Sequence, residues 1–149
     1  MAGLNLSIPE DFLQELLDTP FDDIAKRALE ETAPELEKAV KRTMRSSVQH
    51  TGESEMVNSI RTSKPKKTKT DAWICNVYPS GYSHNYYCRD TGGKKVRRYP
   101  VSNALKAIWM EYGRTGQQAR PWLAPAVASC HDKILTRVQK IWEEVTKAQ

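Results

Sequence analysis

The chain has 149 residues, 39% of them hydrophobic and 28% charged, a balance that suits one folded domain over residues 1–149 rather than a disordered chain. Its net charge of +5 is compatible with an acidic partner, but does not choose between nucleic acid and an acidic protein surface. No run approaches the roughly 18 apolar residues that a membrane helix needs, and residues 1–7 lack the basic-then-apolar pattern of a secretory signal.

The first element predicted is a short helix. Ser7, Pro9 and Glu10 fit a capping box with proline in the first turn, and Phe12, Leu13, Leu16 and Leu17 follow at helical spacing. Thr19 and Pro20 break it, and Thr19 can cap a second helix with Asp22 and Asp23 in its first turn. Ile24, Ala28, Leu36, Val40 and Met44 give that helix its apolar face, which fades near Val48. Pro34 lacks the amide that the helical ladder needs, so the sequence predicts a kink or a restart at Glu35.

Thr51-Gly52 reads as a break, after which Met56, Val57 and Ile60 lead into a strand. The alternating residues 72–78, with Trp73, Cys75 and Val77 on one face, predict the clearest strand. The basic stretch between the two strands turns at Pro65, so the pair reads as a hairpin. Residues 79–99 hold several tyrosines and Gly81, Gly92 and Gly93, and predict a long loop with at most a short strand over 86–89.

Ser102 or Asn103 can cap a helix running to Tyr112, which Gly113 ends by taking a positive φ. Arg120-Pro121 then restarts the chain. Leu123, Val127, Cys130, Ile134, Val138, Ile141 and Val145 line one face of a long last helix. The fold class is α+β: N-terminal helices, a small mostly antiparallel sheet, and a long C-terminal helix packed on it.

Two blocks carry a family resemblance. One is Thr51-Gly52 with Met56, Ser59 and Ile60. The other runs Trp109-Met110-Glu111-Tyr112-Gly113, then Gln118-Ala119-Arg120-Pro121-Trp122-Leu123, then Pro125-Ala126. Across roughly residues 22–147 the chain resembles the minor tail components of long-tailed bacteriophages and prophages, also called tail-completion or head–tail joining proteins. The stretch 80–99 is longer than the usual connection. The resemblance implies a non-enzymatic virion protein, assembled in the host bacterial cytoplasm. It would complete or cap the tail and join it to the head connector in a neck ring. The partners implied are further copies of the chain, as a hexamer, and the adjacent connector and tail-terminator or tail-tube proteins. DNA would touch it only in passage, with no membrane and no cofactor.

The second block also has a physical reading. Gly113, Pro121 and Pro125 make a sharp corner between two helices, and Trp122 anchors it. The spacing predicts a charge-assisted pair between Glu111 and Arg120. A structural corner is the plainer reading of Glu111, Tyr112, Gly113, Arg120, Pro121 and Trp122, and a docking surface the sharper one.

Two basic clusters are candidate assembly contacts: Lys64, Lys66, Lys67 and Lys69, and then Lys94, Lys95, Arg97 and Arg98 beside Tyr86, Tyr87 and Tyr99. Basic residues interleaved with aromatics also suit nucleic acid, so a small basic nucleic-acid-binding module is the alternative function. A zinc-dependent or thiol enzyme is a third. The odd set Cys75, Cys88 and Cys130, with His84 and His131, supplies only one closely spaced pair, and ordinary reduced cysteines explain it better.

Overall fold

The computed structural model describes residues 19–49, 51–89 and 97–147, with side chains described outside 51–53 and 84–99. The first predicted helix, with Phe12 and Leu13, lies outside that set. The described elements run α1 (Phe21–Ser47), α2 (Thr51–Asn58), β1 (Ile60–Thr62), β2 (Lys66–Lys67), β3 (Trp73–Ile74), β4 (Val77–Pro79), β5 (Tyr82–Arg89), β6 (Arg97–Ser102), α3 (Asn103–Tyr112) and α4 (Leu123–Thr146). The architecture is α+β.

The two long helices, α1 and α4, pack antiparallel. Phe21 at the start of α1 meets Trp142 near the end of α4, with ring centroids 5.7 Å apart. At the opposite end Val40 and Met44 of α1 share a buried cluster with Ala126 of α4. Four charges bridge the pair: Arg27 and Arg137 each contact both Glu31 and Glu144.

α1 passes through Pro34 without the predicted restart. An interior proline costs a helix about 3 kcal/mol. Pro34 itself is exposed, and buried residues on both sides of it, Ala33 before and Ala39 and Val40 after, anchor the continuous helix. Pro20, rather than Thr19, takes the capping position.

A second correction concerns Thr51-Gly52, which opens α2 instead of breaking the chain before a strand. Met56 and Val57 of α2 are fully buried, as is Ile60 one step later in β1. Burial of three apolar side chains within five residues outweighs the weak helix propensity of threonine and glycine.

The hairpin predicted around Pro65 is present, but in two short ladders. β1 pairs antiparallel with β4, Arg61 opposite Tyr78, and β2 with β3, Lys67 opposite Trp73. The predicted single strand 72–78 is interrupted where the Ser63 hydroxyl accepts the Asn76 amide at 2.9 Å and the Cys75 thiol donates to the Ser63 carbonyl at 3.0 Å. Asp71, at φ 58°, turns the tip.

The predicted long loop is largely β-structure. β5 and β6 form an antiparallel ladder from Tyr82↔Ser102 to Arg89↔Arg97, with an irregularity between Tyr82 and Tyr86. Gly81, at φ 70°, turns the chain from β4 into this hairpin.

The core lies where α1 ends. Val40, Met44, Met56, Val57, Ile60, Ala107, Met110 and Ala126 bury against one another, with Leu36, Val48, Val77 and Trp122 packed around them. The predicted face of α4 is only partly inside: Cys130 and Ile141 are buried, while Leu123 and Val127 are 44% and 43% exposed. Among the described residues no helix is long and apolar enough to cross a membrane.

Candidate functional site

The corner between α3 and α4 is built from local instructions. The Ser102 hydroxyl accepts the Leu105 amide at 3.1 Å and starts α3. Gly113 ends it at φ 76°, ψ 179°, where its amide still donates to the Trp109 carbonyl at 2.9 Å. A Cβ on Gly113 would lie 2.9 Å from the Ala119 amide nitrogen and the Gln117 carbonyl oxygen, so only glycine fits. Residues 114–117 then form a tight turn in which Arg114 and Gln117 exchange backbone hydrogen bonds. The Arg114 guanidinium sits 4.2 Å above the Trp109 ring.

The predicted Glu111–Arg120 pair is replaced by two separate caps. Glu111 Oε2 accepts the backbone amides of Trp122 at 2.8 Å and Leu123 at 3.1 Å. Trp122 occupies the capping position of α4 and has no side-chain oxygen to satisfy those amides, so the carboxylate from α3 does it instead. Arg120 turns the other way. Its Nη1 donates to the carbonyl of Ser47, the last residue of α1, at 2.5 Å, and its own amide donates to the Met110 carbonyl at 2.7 Å. A carboxylate thus meets the positive start of one helix and a guanidinium the negative end of another, each favoured by the helix dipole.

Trp122 folds inward, its indole Nε1 donating to the Ala107 carbonyl at 3.2 Å, while Pro121 stays at the surface. Pro125 sits in the first turn of α4, where a missing amide is harmless. The corner therefore binds together the end of α1, the end of α3 and the start of α4. What it leaves outside is apolar. Tyr112 is 75% and Ile108 53% exposed on α3, and Leu123 and Val127 border a groove shared with Glu111, Ala124 and His131. Sequence periodicity placed Leu123 and Val127 in the core and gave no sign of that groove.

Of the first basic cluster, Lys67 is tied back to the body. Its Nζ lies 2.6 Å from Asp22 Oδ2 and 3.4 Å from Asp71, and Trp73 Nε1 donates to Asp22 Oδ1 at 3.0 Å. These donors, Lys67 first, hold the Asp22 carboxyl below the usual carboxylate range, and Asp22 in turn raises Lys67. Lys64, Lys66 and Lys69 are exposed. Lys94 and Lys95 lie outside the described residues, and Arg97 and Arg98 stand on β6, opposite Arg89 and Cys88. Cys75 and Cys130 donate to the backbone carbonyls of Ser63 and Ala126, and among the described residues no group of histidine, cysteine and acidic side chains is arranged to hold a metal.

Comparison with known proteins adds the family. Residues 10–113 match the model of the HK97 gp10-like family, described as "Bacteriophage HK97-gp10, putative tail-component". The match takes in Thr51-Gly52 and the Glu111-Tyr112-Gly113 turn, and stops short of Gln118 to Ala126. Searches of curated proteins and of solved structures returned no match. The matched stretch covers more than half of the 149 residues, and the chain belongs to the HK97 gp10-like family of bacteriophage tail components.

Proposed function

We propose that this tail component completes or caps the phage tail and joins it to the head connector, as one subunit of a neck ring assembled in the host cytoplasm. The observation that carries the reading is the exposed apolar set Ile108, Tyr112, Leu123 and Val127 around a corner fixed by hydrogen bonds to three helices. Exposed apolar surface on a rigid support suits a repeated protein contact, and a closed ring uses the same pair of faces at every interface. The β5–β6 hairpin adds two free backbone edges, since it pairs with no third strand among the described residues. The basic residues Lys64, Lys66 and Lys69 at the other hairpin suit an acidic neighbour in the connector or the tail terminator. A hexamer is the copy number proposed, with DNA only passing through.

Deleting the gene from its phage tests the reading. Filled heads and separate tails under the microscope are the expected result, and complete virions would overturn it. A Tyr112→Asp variant should stay folded yet fail to form rings by negative-stain microscopy. Steep loss with salt of DNA bound to the monomer would favour the nucleic-acid module instead.

A further inference from the structure

The hairpin that starts with β1 runs along α1 and is fastened to it by two carboxylates. At its root the Thr62 hydroxyl donates to Glu37 Oε2, whose other oxygen meets Lys41 Nζ at 2.6 Å. At its far end Asp22 Oδ2 accepts from Lys67 Nζ at 2.6 Å, and Asp22 Oδ1 accepts from Trp73 Nε1 at 3.0 Å. Asp22 and Glu37 lie about 22 Å apart along α1, at 1.5 Å per helical residue. The chain from Thr62 to Lys67 covers at most about 17 Å, so the long Lys67 side chain closes the gap.

Between those ends the hairpin spans rather than packs. An open cleft of about 460 Å³ separates it from α1, lined by Leu29, Ala33 and Pro34 on the helix and by Ser63, Pro65 and Cys75 on the hairpin. None of residues 63–76 is buried, whereas Ile60 at the root is fully buried. The ladder also changes character partway. β1 pairs with β4 as far as Thr62↔Val77, and β2 with β3 from Lys66↔Ile74. At the crossing between them the Ser63 amide donates to the Asn76 carbonyl at 2.8 Å, and the Asn76 amide donates to the Ser63 hydroxyl at 2.9 Å. The tip beyond keeps a ladder of two residue pairs, and a hairpin that short does not hold its place in water unaided. Asp71, 3.4 Å from Lys67, travels with the tip and cannot fasten it, which leaves the contacts at Asp22.

We propose that the β2–β3 tip is a latched arm, with Asp22 as the catch. The tip parts from α1 as one unit at the Ser63–Asn76 crossing, while the root stays on Glu37. A segment with few buried contacts opens locally, at far less free energy than the whole domain needs to unfold. Opening uncovers the cleft and releases Lys67 from α1, beside the exposed Lys64, Lys66 and Lys69.

Hydrogen exchange of the full chain, read peptide by peptide by mass spectrometry, tests it. In Asp22→Ala the amides of residues 66–74 should exchange at least several-fold faster, while those of residues 40–44 and 107–110 keep their rates. Asp23→Ala is the control. Asp23 is exposed in the same turn of α1 and, among the described residues, makes no ion pair with the hairpin, so residues 66–74 should be unchanged in that variant. Lys67→Met keeps the length of the side chain and leaves Trp73 its bond to Asp22, so it should act in the same direction as Asp22→Ala but less. Unchanged exchange of residues 66–74 in Asp22→Ala or in Lys67→Met would overturn the proposal. So would an equal rise in the core peptides, or an equal rise at 66–74 in Asp23→Ala.

Discussion

Glu111 caps a helix to which it does not belong: its carboxylate reaches from α3 to the Trp122 amide at 2.8 Å and the Leu123 amide at 3.1 Å. With the Trp122 indole on the Ala107 carbonyl and the Arg120 amide on the Met110 carbonyl, the contact helps set the angle between α3 and α4. Glu111→Ala should cost about 1–2 kcal/mol, the usual worth of a lost helix cap. In a chain this size that lowers the melting temperature by roughly 2–8 °C. Glu111→Gln keeps one acceptor and loses the charge, so its loss should be smaller. Thermal melts followed by circular dichroism rank the three proteins, and an unchanged Glu111→Ala melt would remove the capping role.

Gly113 and Gly116 share φ 76° but differ in what surrounds them. A Cβ on Gly116 meets open space, so Gly116→Ala carries only the left-handed conformation, about 1–2 kcal/mol. A Cβ on Gly113 adds collisions with backbone at residues 117 and 119 that no rotamer change relieves. Gly113→Ala should therefore cost at least about 1 kcal/mol more than Gly116→Ala, the low end of an overpacking penalty. Urea denaturation of both variants measures the difference, and equal midpoints would show that the corner is softer than drawn.

The features legible in the sequence were those set by neighbours along the chain. Ser102 as a cap, Gly113 as a stop and the long run of α4 depend on residues within a turn or two. The restart expected after Pro34 is absent because the proline's cost is local while its compensation, the packing of α1 on α4, comes from residues far along the chain. The 79–99 stretch misled for a related reason. The short strand expected over 86–89 lies within β5, but the glycines and tyrosines carry a loop's composition and hide its ladder with β6. Thr51-Gly52 opens a helix because Met56, Val57 and Ile60 are buried by distant elements. In the corner the residues were visible but their partners were not. Glu111 and Arg120 bind backbone groups, and a backbone amide or carbonyl has no signature in a sequence.

Arg120 holds the end of α1 through the Ser47 carbonyl, a contact between residues 73 positions apart. A half-buried charged donor to a carbonyl contributes about 1.5–3 kcal/mol, and Arg120→Ala should lose that much. Arg114→Ala is the contrast. Its guanidinium is exposed above Trp109 and bonded to Gln117, so removing it should cost about 0.5–1 kcal/mol. Chemical denaturation separates the two, and a larger loss at Arg114 would reverse their order.

The bridge between α1 and α4 predicts how stability follows pH. Hydrogen bonds from Arg27 and then Arg137 lower the Glu31 pKa from its ordinary 4.5. Lys41 and then Thr62 lower Glu37, and Lys67 and Trp73 lower Asp22 from 3.8. A carboxyl with a depressed folded pKa binds its proton more weakly in the native state than in the unfolded one. Its stabilisation is therefore complete above the unfolded value and is lost as pH falls through the folded one. Stability should hold flat from neutral down to about pH 5 and then decline. Glu31→Gln should make the decline shallower, and because Asp22 is exposed and Glu31 and Glu37 are only part-buried, added salt should weaken the effect. Melting temperatures at pH 3 to 7, with and without salt, decide it. A decline of equal steepness in Glu31→Gln would assign the acid sensitivity to Glu37, Asp22 or the remaining carboxylates.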